Sequence, residues 1–302
     1  MSSNSSTKIL KTAALGIFVL LLSVGLSFAQ SVDLTAAGTT ATLPDGNSVP
    51  MWGYSCTAST APASCDRLST SATGWSPVVI RVSGSKLTVN LTNGLPASVP
   101  ETSLTIVGQL GGGLGTGANA VNSPLHSQQT TTWPSVDPTT TNKPPLQPKR
   151  VQSFATPVTP GNTAALTWTN LQPGTYLIES GTHPSIQGAM GLYGMLIVTQ
   201  SNGDAYPGVT AGADIPMLFS EIDPVQNTAV DLAVRTSGFK ENNVWDGHTG
   251  KCGDPAVHNC YPPTVNYSPL YYLINGVAFD KTHALASLFN RMSRLAARPA
   301  GT

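Results

Sequence analysis

Apolar residues in this chain fall into short runs separated by polar, Gly- and Pro-rich stretches, with no helical period until near the C-terminal end. Runs of about four to eight residues rich in Val, Ile, Thr and aromatics predict strands. They lie at 77–82 (PVVIRV), 86–91 (KLTVNL), 101–109 (ETSLTIVGQ), 151–156, 164–168, 175–179 and 192–199. In 86–91, Leu87, Val89 and Leu91 share one face while Lys86, Thr88 and Asn90 share the other. Ser83-Gly84-Ser85, Asn93-Gly94-Leu95-Pro96 and Asn170-Leu171-Gln172-Pro173-Gly174 supply turns. Residues 31–50, polar and Thr/Ala-rich, predict an edge strand and a linker, and 51–74 a long loop. From Gly113 to about residue 150 runs a Gly/Thr/Pro/Ser excursion containing His126. Beyond residue 210 the pattern predicts a strand at 214–222, an irregular polar stretch over 225–257, and strand–turn–strand over 270–279. Residues 283–302 place apolar side chains at helical spacing beside Arg291, Arg294 and Arg298. The pattern is that of an all-β sandwich with Greek-key links.

The N-terminus changes the compartment. Lys8 and Lys11, the apolar stretch 13–26 and Ser27-Phe28-Ala29 predict a signal peptide over 1–29, cleaved after Ala29, and a secreted or periplasmic protein. An uncleaved anchor is the alternative. No second apolar run approaches the roughly 18 residues of a membrane span, so no membrane contact is expected after signal removal. The chain holds 15 basic and 15 acidic residues, and two of the lysines fall in the signal. The remainder is slightly acidic, which excludes an electrostatic footprint for nucleic acid. Outside the cytosol, the close pairs Cys56/Cys65 and Cys252/Cys260 read first as local disulfides. A metal site is the weaker reading, because neither pair has zinc-knuckle spacing.

The stretch GTYLIESGTHPSIQGAMGLYGMLIVT, residues 174–199, is two strands around a loop with His183, then Gln187 and Gly191-Leu192-Tyr193-Gly194. It resembles the end of the first domain of a multicopper oxidase, where a strand leads to a His-x-His, a Gln, GLYG and a closing strand. Thr102-Ser103-Leu104-Thr105-Ile106-Val107-Gly108 resembles the same family's T-S-x-H-W-H-G strand. Residues 214–220 and 271–280 resemble the opening of its second domain. The resemblance implies a cupredoxin-like Greek-key β-sandwich over 30–200 and a partial second cupredoxin-like domain over 201–302. It implies copper as cofactor, oxidoreductase chemistry and a small-molecule or metal-ion substrate. It also implies further strands after residue 280, so the chain reads as truncated within its second unit. A terminal amphipathic helix is the other reading of 283–302. The ligands depart from the family: Thr105 and Val107 stand at two imidazole positions, and Glu179-Ser180-Gly181-Thr182-His183 stands where His-Ser-His is expected, so that of the four first-domain ligands only His183 is left. No cysteine lies between Tyr176 and Thr199 to serve a blue-copper site. Oxygen reduction is therefore not expected of this chain.

What remains is a mononuclear metal set of His126, His183 and Glu179, two imidazoles and a carboxylate. The competing reading makes His126 a solvated loop residue and hydrogen-bonds His183 to nearby backbone. Asp246, His248, Asp254 and His258 around the second cysteine pair read as a stapled surface loop. No G-x-S-x-G elbow or phosphate loop is present. Two function classes follow: an exported multicopper-oxidase-like oxidoreductase, or a non-enzymatic extracellular binding or structural module. An incomplete second unit also predicts self-association through open strand edges.

Overall fold

The computed structural model describes residues 30–70, 72, 74–99, 101–116, 151–209, 214–241, 243, 249–250, 252, 254, 256–257 and 259–280. Residues 1–29, expected to be a signal, the stretch containing His126, the positions of Asp246, His248 and His258, and residues 281–302 with their three arginines lie outside the described residues.

Two sheets face each other. The first has the order β2 (Ser48–Thr60), β1 (Ser31–Thr42), β5 (Leu87–Gly94), β7 (Thr163–Trp168). The second has the order β3 (Ser64–Arg67), β4 (Val78–Ser83), β9 (Tyr193–Thr199), β8 (Gly174–Glu179), β6 (Thr105–Ile106). Each sheet contains one parallel pair, β1 with β5 and β4 with β9, among antiparallel neighbours. β4 and β5 lie in different sheets, so residues 84–86 carry the chain across the sandwich. The alternation predicted in β5 is present: Leu87, Val89 and Leu91 are buried against Val78, Ile80 and Val82 of β4. Such interdigitated apolar faces supply the main favourable term of a sandwich. The all-β sandwich expected from the strand pattern is the observed architecture.

Several elements differ from expectation. β1 is flanked on both sides rather than lying at an edge, because Val32, Leu34 and Ala36 alternate inward beneath the Thr/Ala composition. The expected loop at 51–74 is largely strand: β2 extends to Thr60, burying Met51, Trp52 and Tyr54, and β3 follows. The Cys56–Cys65 disulfide thus joins the edge strands of the two sheets, and Cys252–Cys260 is formed as well. Residues 151–156 form no strand, and 101–109 shrinks to the two residues of β6. Gly111 and Gly112 lie flat on the buried Trp168 indole. A Cβ on Gly112 would stand 2.6 Å from Trp168 Cζ2, so these glycines serve close approach.

The later residues form a small antiparallel sheet, β10 (Phe219–Ile222), β11 (Tyr271–Ile274) and β12 (Val277–Ala278). Asn275 and Gly276 turn β11 into β12 with φ of 55° and 82°, the signs a type I′ hairpin needs. Between β10 and β11, where irregular chain was expected, Pro224–Arg235 is a helix. One short turn precedes it in the chain, so Pro184–Gln187 is α1 and Pro224–Arg235 is α2. Asp223 caps α2 by accepting from Val225 N and Gln226 N, and Pro224 occupies the first turn. Val230 and Val234 enter the main core, and Asn227 donates to Pro50 O. Ile222 and Leu273 pack with Met51 and Trp75 in a second cluster. Among the described residues no helix is long and apolar enough to cross a membrane.

Candidate functional site

β8 and β9 pair antiparallel, and α1 is the connection's single helical turn. His183 precedes it in the left-handed region, φ 47° and ψ 54°, with its carbonyl accepting from Ile186 N and Gln187 N. β6 adds to the free side of β8, which sets Thr105 opposite Glu179 and Ile106 opposite Ile178. That register gathers the positions at which the family resemblance places imidazoles. Thr105 faces Glu179, and a Cβ on Gly181 would collide with Thr105 Oγ1 and stand 3.1 Å from Ser103 Oγ. Val107 is an apolar side chain in half-open solvent.

A network of hydroxyls and one amide lies beside these positions, and its Thr102, Ser180 and Gln187 match the family pattern. Thr102 Oγ1 and Ser180 Oγ donate to Gln187 Oε1 at 2.9 and 2.6 Å, and Gln187 Nε2 donates to Glu101 O at 2.6 Å. Thr182 N donates to Ser180 Oγ, and Thr182 Oγ1 to Ser103 Oγ at 2.9 Å. Tyr54 OH closes it from β2 by donating to Ser103 O at 3.0 Å. Thr102, Ser180 and Gln187 are fully buried. Burial pushes the Tyr54 phenol far above its ordinary range, so it stays a donor. Each such group would cost about 1–3 kcal/mol if left unpaired, so a satisfied network holds its three chain segments in one arrangement. A copper centre does not fit these positions. Thr105, Val107 and Glu179 supply one hydroxyl, one alkyl side chain and one carboxylate in place of imidazoles.

The two described members of the mononuclear set have different surroundings. His183 Nδ1 lies 3.1 Å from Oε1 of Glu241, whose side chain is 12% exposed. Burial pushes the Glu241 carboxyl up, His183 draws it down, and Glu101 adds a further upward push. Tyr261 is raised in turn by burial and by Glu241, and its ring packs on Phe239 at 5.0 Å. Glu179 instead lines a cavity of about 610 Å³ between β8, α1 and β10, and burial raises its carboxyl. Leu177, Pro184, Tyr193, Leu218, Phe219 and Tyr267 give that cavity its apolar walls, and Glu221 its second carboxylate. Among the described residues no three His, Cys, Asp or Glu side chains group closely enough to hold a metal ion. His126 is outside them. Glu241 and Glu221 were not singled out in the sequence, because each stands in an unremarkable polar context and gains its role only through tertiary packing.

No protein-family model matches the sequence, and no curated protein matches it. Among solved structures, the chain is similar to a multi-copper oxidase from Pseudomonas Thermotolerans, 14% identical over 82% of this chain and 41% of that one, with a TM-score of 0.44. It is similar to Fet3p, a multicopper oxidase that functions in iron import, at 15% identity over 82% of this chain and 32% of that one, TM-score 0.43. A copper nitrite reductase from Nitrosomonas europaea is 18% identical over 66% of this chain and 51% of its own, TM-score 0.39. The chain thus spans about two fifths of the first of these proteins. At such values the likeness carries no weight of its own, and the sandwich stands on its strand pairing.

Proposed function

We propose that this is an exported, multicopper-oxidase-like protein whose sandwich serves as a non-catalytic binding and structural module. The observation that carries this reading is that Thr105, Val107 and Glu179 stand where the family resemblance places imidazoles, the first and last opposite each other across the β6–β8 pair. Copper and oxidoreductase chemistry belong to the family resemblance; this chain keeps the hydrogen-bonded frame of that site, Thr102, Ser180 and Gln187, and has other residues at the imidazole positions.

The test is metal analysis of the protein purified from its exported fraction, with an absorbance scan and an oxygen-uptake assay on a phenolic donor. The expected result is copper well below one equivalent, no thiolate–copper band and no oxygen uptake. Stoichiometric copper with donor-dependent oxygen uptake would overturn the proposal. A copper titration repeated on His183→Ala checks the residual mononuclear set. Its binding isotherm is expected to match that of the unsubstituted protein.

A further inference from the structure

The cavity between β8, α1 and β10 has a composition that the polar network does not explain. Its volume, about 610 Å³, falls in the range of small-molecule sites. Its walls are mainly apolar, yet they carry two carboxylates, Glu179 and Glu221, and among the described residues no basic side chain lines them. Among the described residues Glu179 forms no ion pair, although burial has stripped it of part of its hydration. A half-buried carboxylate in an apolar-walled cleft gains from a cation that settles beside it, since their attraction is stronger near a protein surface than in bulk water. Tyr193 and Tyr267 contribute aromatic rings, which favour a cation over any anion. Phe219, 68% exposed, offers uncovered apolar surface at the same rim.

We infer that this cavity binds a small organic cation, an ammonium group carried on an alkyl or aromatic body. The ammonium is held by the Glu179 and Glu221 carboxylates, and the apolar body lies along Leu177, Phe219 and Tyr193. A bare inorganic cation would leave those walls unused, and an anion would meet two like charges. The inference rests on the binding-module reading and names its ligand class.

Calorimetry on the full exported chain, in buffer with a chelator, tests it independently of the copper assay. The probes are 2-phenylethylammonium, 2-phenylethanol and phenylacetate. The ammonium is expected to bind with one-to-one stoichiometry, and the alcohol at least about tenfold more weakly, the weight of roughly 1.4 kcal/mol. Phenylacetate is expected not to bind. Glu179→Gln should weaken the ammonium by about tenfold or more, and Glu221→Gln by less, because Glu221 is solvated. Glu221 lies at an exposed position, so Glu221→Gln keeps the test alive if Glu179→Gln fails to fold. Equal binding of ammonium and alcohol, undiminished binding in the folded glutamine variants, or no ammonium binding would each overturn the inference. So would calcium binding to the same site without an organic probe. Any of these outcomes would leave the copper result untouched.

Discussion

Gln187, fully buried, ties the segment before β6 to the loop after β8 through three hydrogen bonds. Its carbonyl accepts from Thr102 and Ser180, and its amide donates to Glu101 O. Replacing it with Ala would leave two hydroxyls and a backbone carbonyl buried without their partner. Gln187→Ala is therefore expected to lower stability by about 2–3 kcal/mol, measured as a shift in urea midpoint at unchanged slope. A loss below about 0.5 kcal/mol would show that water replaces the amide and that the network is not a lock. Part of this site was legible in the sequence, for Gln187, the following Gly191-Leu192-Tyr193-Gly194 and the positions of Thr105 and Val107 could all be marked. The bonds themselves were not. Thr102 and Ser103 meet Ser180, Thr182 and Gln187 only because β6 pairs with β8 in one register. His183 meets Glu241 only because the chain after α2 returns to α1. Neither pairing leaves a periodic trace along the chain.

At the scale of elements, the alternation of β5 and the Asn275-Gly276 turn were readable because one local rule determined each. β1 and α2 were harder. Ala36 and several threonines hide a strict inward alternation in β1, and the buried face of α2 includes the polar Gln226 and Asn227. A hydrophobic period can be read only when the buried face is apolar. The stop–start signal of α2 was present all the same in Asp223-Pro224, an N-cap followed by proline. Asp223 is 3% exposed and serves both ends of this region: Oδ1 caps α2, and Oδ2 accepts from Ser268 N at 2.7 Å. Asp223→Ala should cost about 1–2 kcal/mol, the upper part of the range for lost caps. Asp231→Ala breaks only an exposed i,i+4 pair with Arg235 on the same helix and should cost about 0.3–0.5 kcal/mol. Thermal melts of the two variants give the comparison. Equal losses would mean that Asp223 acts only as one more surface charge.

The behaviour of the whole molecule depends on whether the residues after 214 unfold with the sandwich. Val230 and Val234 sit in the main core, and Ile222 and Leu273 share a cluster with Met51 and Trp75. Shared cores of this kind favour one cooperative transition. Alkali offers a probe that reports from both parts. Burial raises the phenols of Tyr54 and Tyr193 in the sandwich, and those of Tyr261 and Tyr267 in the later segment, Tyr267 to about 12. In the unfolded chain each would ionise near 10.0. Between pH 10 and the folded values the native state therefore binds more protons than the unfolded state, so stability falls as pH rises. The contribution is complete below pH 10 and disappears through the folded-state values. Glu179 and Glu241 act in the same sense at the acid end, since their raised carboxyls make stability fall as pH climbs above 4.5. The expected outcome of an alkaline titration is that the buried tyrosines, followed as the tyrosinate absorbance lost when Tyr54, Tyr193, Tyr261 or Tyr267 is replaced by Phe, ionise together with the loss of β-sheet circular dichroism in a single step above pH 10. Ionisation of Tyr261 and Tyr267 at lower pH than that of Tyr54 and Tyr193, before the sheet signal falls, would mean that the later segment opens alone and that its packing on Met51 and Trp75 does not couple it to the sandwich.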